Sequence, residues 1–196
     1  FFPSFEHFYQ LYQQRNHQLW IDYAAGKVTK DELNRQRFVY PLLVVGVPQA
    51  EAIAKDFATD FFQVIPTKSE VIPHAHEVLA ELATRYNLYI LSNGFHELQR
   101  HKMRSAGLDI YFKDVILSDD IGILKPDARL FHHALKVAKA TVGDSLMIGD
   151  SWESDVVGAS SVGMHQVYFS PKADASSLPF TPTYFITDLR QLLEIL

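Results

Sequence analysis

The sequence predicts an α/β protein, a doubly wound parallel sheet preceded by a separate helical unit. From about Thr67 onward, short apolar runs alternate with helix-length segments, the signature of parallel strands joined by crossover helices. Several of these runs end in small or polar residues, among them Ser92-Asn93-Gly94, Ser118-Asp119-Asp120 and Gly149-Asp150-Ser151. Before Thr67 almost nothing alternates like a strand, and aromatic residues recur at helical spacing. With 196 residues the chain can hold one good core and a small accessory domain. The expected division is a helical domain over 1–68 and a sheet domain over 69–196.

Phe5, Phe8, Tyr9, Tyr12, Leu19 and Tyr23 fall at roughly helical spacing, and Gly26 closes that first helix. Thr29, with Asp31 and Glu32 just after, reads as an N-cap with an acidic first turn. The helix it opens runs toward Phe38 and is expected to end at Pro41. Pro48 sits at the first turn of a third helix through Phe62; the run 42–47 between them is ambiguous. Pro73 opens a helix through Tyr86, a strand covers 88–91, and a helix over about 95–106 ends at Gly107. A strand over 115–117 leads to the loop bearing Lys125-Pro126-Asp127 and a helix through Lys139. A strand over 146–148, a helix over 152–162, strands over 166–169 and 184–186, and a helix from Asp188 complete the pattern. The Pro- and Ser-rich stretch 170–183 reads as a surface loop.

Composition narrows the function. Hydrophobic residues at 47% and charged residues at 21% fit an ordinary globular protein. A net charge of −5 argues against a nucleic-acid polymer as partner, which normally needs a basic face. The absence of cysteine rules out disulfides and thiolate metal sites and suits a cytoplasmic location. No apolar run approaches membrane-spanning length and no signal peptide is visible. The sequence opens on Phe1-Phe2-Pro3-Ser4, without Met, and enters an amphipathic helix at once, so further residues are expected upstream. Nothing in it fixes the oligomeric state.

In open parallel sheets ligands sit beyond the carboxyl ends of the strands. A hydroxyl (Ser92), a lysine (Lys125) and two carboxylates (Asp150, Asp155) at such ends suit phosphate and metal chemistry. The serine and the N–H groups at the start of the next helix can hold phosphate oxygens, and lysine is a point charge for the same oxygens. Carboxylates are hard oxygen ligands for Mg²⁺.

Plainer readings exist for each. Asp150 with Glu153 would make a helix cap and capping box, with Asp155 an ordinary first-turn acid. Lys125 would be a solvated loop lysine, and Ser92-Asn93-Gly94 a simple turn. The histidines pair poorly for zinc: His96 and His101 are five apart, His74 and His76 two apart, His132 and His133 adjacent. Phe8, Tyr12, Trp20, Tyr23 and Phe38 read as helical core, with Trp20 and Arg37 as candidates to line a pocket and stack on a base.

Taken together and in order, Leu91-Ser92-Asn93-Gly94, Leu124-Lys125-Pro126-Asp127 and Gly149-Asp150-Ser151-x-x-x-Asp155 resemble the second, third and fourth motifs of the haloacid dehalogenase (HAD) superfamily. The helical region resembles that superfamily's helical cap, inserted after the first strand of a Rossmann-like core. The pattern looks most like the pyrimidine nucleoside monophosphate 5′-nucleotidase branch. The resemblance implies hydrolysis of a small-molecule phosphomonoester, with an aspartate on the first strand attacking phosphorus to give an aspartyl-phosphate. A second aspartate two residues on would act as general acid and base. It implies that Ser92, with Asn93 and Gly94, binds the phosphate, that Lys125 neutralises nucleophile and phosphate, and that Asp150 ligates Mg²⁺. Asp155 would orient Lys125 or a metal-bound water.

One part of the pattern is missing. No Asp-x-Asp-x-Thr precedes the helical region, and Asp22 and Asp31 lie on helices without a strand before them. In the order the resemblance implies, the first strand lies between 88–91 and 146–148. Without it these strands stand about 9.5 Å apart, two interstrand spacings. Their unpaired backbone groups would each cost on the order of 1–3 kcal/mol, against a total stability of ~5–15 kcal/mol. The expectation is that roughly 15 upstream residues carry that strand. Two rival readings share the fold: a metal-free dehalogenase acting on small 2-halo acids, and a catalytically incomplete module kept for binding.

Overall fold

In the computed structural model, which describes residues 1–172, 176 and 178–196, helix α1 (Phe5–Ala24) starts where Ser4 accepts the His7 N–H at 3.3 Å. Two compact units follow from the chain contacts, Phe1–Thr67 and Lys68–Leu196. In the first, α1 is joined by α2 (Lys30–Val44) and α3 (Ala50–Val64), then a 3-10 turn over Ile65–Thr67. Thr29 caps α2 by accepting the Glu32 N–H at 3.2 Å.

Pro41 does not end α2, which continues to Val44. A proline inside a helix costs about 3 kcal/mol through its lost N–H bond and ring clash. Set against this, Phe38, Val39 and Leu42 are buried with Val47, Ala50 and Ala54 in the core of the unit. Burying a large apolar side chain contributes roughly 1.5–3 kcal/mol, so several together outweigh the proline. The ambiguous run 42–47 is the end of this helix and a tight turn, in which Val47 N–H bonds back to Leu42 O at 3.0 Å. Pro48 lies in that turn, and α3 begins two residues later than the sequence suggests, at Ala50. Arg37 is buried in the same core, its guanidinium 4.9, 5.6 and 5.2 Å from the rings of Phe38, Phe61 and Phe62. That burial pushes its pKa down from the ordinary arginine value.

The second unit carries the sheet. Its order is α4 (Ala75–Leu82), β1 (Leu88–Ser92), α5 (His96–Ser105), β2 (Phe112–Leu117), α6 (Ala128–Ala138) and β3 (Leu146–Gly149). A π-helical turn over Trp152–Val157, α7 (Gly158–Ser161), β4 (His165–Phe169), β5 (Tyr184–Ile186) and α8 (Leu192–Ile195) complete it. The helix expected over 73–86 is confined to α4, and the one expected over 152–162 opens as a π turn. All strand pairs are parallel: β1 with β2, and β3, β4, β5 in that order. The registers Ser92↔Leu117 and Gly149↔Tyr168 bring the carboxyl ends level within each half.

Among the described residues no ladder joins β1 to β3. The two halves share their packing against helices instead. Leu88 and Leu146 pack with Val78, Leu82, Val167 and Leu192 against α4 and α8. Leu91 and Met147 pack with Phe131, Ala159 and Met164 against α6 and α7. This is the doubly wound arrangement, with a break in the middle of its sheet. Strands as apolar as these are normally covered on both faces and paired on both edges. Here every residue of β1 is only half-buried and Ile148 is 37% exposed.

No helix among the described residues is long and apolar enough to cross a membrane.

Candidate active site

Lys125 lies on the loop between β2 and α6, next to a cis Lys125–Pro126 peptide. Asn93, just past β1, holds this loop at its backbone from both sides. Its Oδ1 accepts the Lys125 N–H at 2.7 Å and its Nδ2 donates to Lys125 O at 3.0 Å. Asp127 then caps α6, accepting the Arg129 N–H at 2.9 Å. The hydrogen bonds from Arg129 hold the Asp127 carboxyl down at about 2, so the cap stays charged at any ordinary pH.

So anchored, the Lys125 side chain turns inward. Its Nζ donates to Asp155 Oδ1 at 2.6 Å and to the backbone oxygen of Leu91 at 2.8 Å. The two side chains are 10% and 5% exposed, which rules out a solvated loop lysine. The pair ties the end of β1 to the turn after β3, across the break in the sheet.

Asp155 reaches this position because of two local features. The Ser151 carbonyl accepts both Asp155 N–H at 2.9 Å and Val156 N–H at 3.3 Å, and the second bond is the wider π spacing. The Asp155 carboxylate then folds back over Gly149, where a Cβ would overlap it. Gly149 is thus required for close approach. The second carboxylate oxygen, Oδ2, accepts the Ser151 N–H at 3.0 Å.

The cap of that turn is Ser151, whose hydroxyl accepts the Ser154 N–H at 3.2 Å. Asp150 is therefore not the helix cap that its place before Glu153 allows. Its carboxylate is exposed at the carboxyl end of β3 and meets no donor or cation among the described residues. Across the break, Ser92 ends β1. Its Oγ accepts the Gly94 N–H at 2.9 Å and Gln99 Nε2 at 2.6 Å.

Ser92, Gly94, Asn93, Lys125 and Asp155 thus form one connected set of contacts, with Asp150 at its β3 side. Asn93 contributes through the Lys125 backbone rather than by facing outward. Gln99, in the first turns of α5, belongs to the set although no motif points to it; only its polar character so close to Ser92-Asn93-Gly94 hints at it. Trp20 and Arg37 lie in the other unit, where Trp20 is half-buried, its ring 5.9 Å from that of Tyr23.

Among the described residues no three His, Asp or Glu side chains gather to hold a metal ion. The available donor is the exposed, unengaged Asp150 carboxylate, a hard oxygen ligand of the kind Mg²⁺ takes. The donor chemistry fits Mg²⁺, with one carboxylate from this chain.

A buried ammonium, a hydroxyl and an exposed carboxylate thus lie at the strand ends of a parallel, helix-flanked sheet, the place where a Rossmann-like core carries its site. The family model for haloacid dehalogenase-like hydrolases matches residues 6–163, and the chain belongs to that family. It is 28% identical over 186 residues to the HAD-hydrolase YfnB of Bacillus subtilis, covering 94% of this chain and 78% of that protein. A crystal structure of YfnB bound to magnesium matches with a TM-score of 0.87 at 27% identity, over 98% of this chain and 83% of that one. The pyrimidine 5′-nucleotidase YjjG of Escherichia coli is 26% identical over 96% of this chain and 82% of its own length, which agrees with the nucleotidase-like pattern of the motifs. The 2-haloacid dehalogenase of Pseudomonas syringae matches with a TM-score of 0.66 at 26% identity, over 98% of this chain and 80% of that one.

Proposed function

We propose that this chain forms the greater part of a Mg²⁺-dependent phosphomonoesterase acting through an aspartyl-phosphate, with a nucleoside monophosphate as substrate. The observation that carries the reading is the buried Lys125–Asp155 pair, set between the Ser92 hydroxyl and the free Asp150 carboxylate. Lysine has three ammonium protons, and two are committed to Asp155 and Leu91 O. The third is left for the transferred group, held in a poorly solvated place where its charge acts strongly. Ser92 contributes a hydroxyl to the same phosphate, and Asn93 keeps the Lys125 loop in place. Bound Mg²⁺, with Asp150 as its ligand from this chain, would supply charge neutralisation at phosphate oxygens.

The attacking aspartate belongs on a strand in the break between β1 and β3, where both open edges face the slot. The helical unit 1–67 would act as the cap that selects the substrate. The similarity to YjjG supports a pyrimidine nucleotide, and the cysteine-free chain suits a cytoplasmic enzyme.

The test is hydrolysis of pyrimidine nucleoside monophosphates by the full-length protein, with Mg²⁺ and with a chelator, beside Asp150→Asn. Activity should fall on the order of 100-fold or more in both the variant and the chelated sample. Hydrolysis of a 2-chloro acid that ignores the chelator would replace this reading with a dehalogenase. Inactivity on both substrates would leave a binding module.

A further inference from the structure

We propose that Gln99 is a positioning residue that makes the Ser92 hydroxyl an obligate hydrogen-bond donor toward the substrate's phosphate. The proposal rests on the phosphomonoesterase reading above. A serine hydroxyl has one proton to give and two lone pairs to receive. At Ser92 both lone pairs are engaged, one by the Gly94 N–H at 2.9 Å and the other by Gln99 Nε2 at 2.6 Å. Neither neighbour accepts from Ser92 in this arrangement, so its proton is left to an oxygen outside the network. A phosphate has only acceptors at its non-bridging oxygens when ionised, and a hydrogen bond to a charged partner is among the stronger ones.

The position of Gln99 is built into the local structure. Its amide lies against the Cα of Gly94, where any Cβ would overlap its Nε2 and Cδ. Gly94 therefore gives up a side chain so that Gln99 can reach Ser92 across the turn. The start of α5 is tied down separately, since Asp119 Oδ2 accepts the His96 N–H at 3.2 Å. The amide thus comes from a helix whose entry is fixed, and Ser92 does not need to rotate to find its partners.

The experiment measures binding of inorganic phosphate to the full-length protein by titration calorimetry, for the wild type, Gln99→Leu, Gln99→Glu, Ser92→Ala and the double variant Ser92→Ala/Gln99→Leu. Thermal melts confirm that each is folded. Gln99→Leu removes the donor and should weaken phosphate about 10-fold. Gln99→Glu should weaken it further at neutral pH, because an ionised carboxylate can only accept and takes the serine proton for itself. As the pH falls the introduced carboxyl regains a proton, and part of that loss should be recovered relative to the wild type. In the Ser92→Ala background, Gln99→Leu should have little further effect, since the residue acts through the hydroxyl.

If Gln99→Glu binds phosphate as well as Gln99→Leu or better, Gln99 accepts from Ser92 and the proposal is wrong. Additive losses in the double variant would show a merely structural role and overturn it too. A wild-type protein that neither binds phosphate nor hydrolyses phosphomonoesters would remove the phosphatase reading and this inference together. Tight wild-type binding with unaffected Gln99 variants would remove only the inference.

Discussion

Lys125→Met in the full-length protein is expected to lower kcat/KM for the proposed phosphomonoester hydrolysis about 100- to 1,000-fold, the range seen when a fixed electrostatic contact to the reacting group is lost. Methionine keeps most of the stem's volume but removes the ammonium that bonds Asp155 Oδ1 and Leu91 O. Lys125→Arg should not restore the rate. A planar guanidinium presents its protons in a rigid fork, and the two oxygens here are arranged around a single compact nitrogen. Steady-state kinetics decide the matter, and a variant that keeps wild-type turnover would show that Lys125 only holds the fold together.

Asp155→Ala is expected to act mainly on stability. It leaves the Lys125 ammonium nine-tenths buried with a neutral carbonyl as its remaining partner, and it strips the Ser151 N–H of its acceptor. Removing one member of a buried ion pair costs about 3–5 kcal/mol because the other charge is left uncompensated. For a unit of this size that is a fall in Tm on the order of 10 °C or more, readable by thermal denaturation. Replacing both partners with apolar residues, Lys125→Met with Asp155→Leu, should recover much of the lost stability while hydrolysis stays as low as in Lys125→Met alone. A Tm for Asp155→Ala equal to that of the wild type would mean that the pair contributes nothing.

The legible parts of this molecule are those decided by neighbours in the sequence. The strands are visible because runs such as Leu88 to Leu91 and Leu146 to Ile148 are continuously apolar, too short for a helix, and end at turn residues. Thr29 and Ser4 cap their helices as short polar residues at such positions do. Where distant contacts decide, the sequence misleads. Pro41 stays inside α2 because the burial of Phe38 and Leu42 outweighs a local cost.

At the site, the residue types and their order single out strand ends that the structure links through Lys125, but not what each side chain touches there. The sequence offers Asp150 as the cap of the turn, and Ser151 takes that place through its bond to Ser154 N. Asn93 is committed to the Lys125 backbone, 32 residues away, a pairing no local spacing shows. Gln99 is silent in the sequence for the same reason: its partner is fixed by the turn at Gly94, not by helical periodicity.

The π turn after β3 limits how this stretch of sequence can change. A residue in a regular helix advances the side-chain direction by about 100°, so one residue more or less redirects everything after it. Ser151 O holds the amides of both Asp155 and Val156, which means the turn accommodates its extra residue right at the carboxylate that grips Lys125. The interval from Gly149 to Asp155 is therefore as constrained in length as in chemistry. Deleting exposed Glu153, a residue with no part in the contacts of the site, should unseat Asp155 and lower Tm as much as removing the carboxylate itself. Conservative replacement of Glu153 at unchanged length should leave Tm within a degree or two, since surface substitutions are usually worth less than about 0.5 kcal/mol.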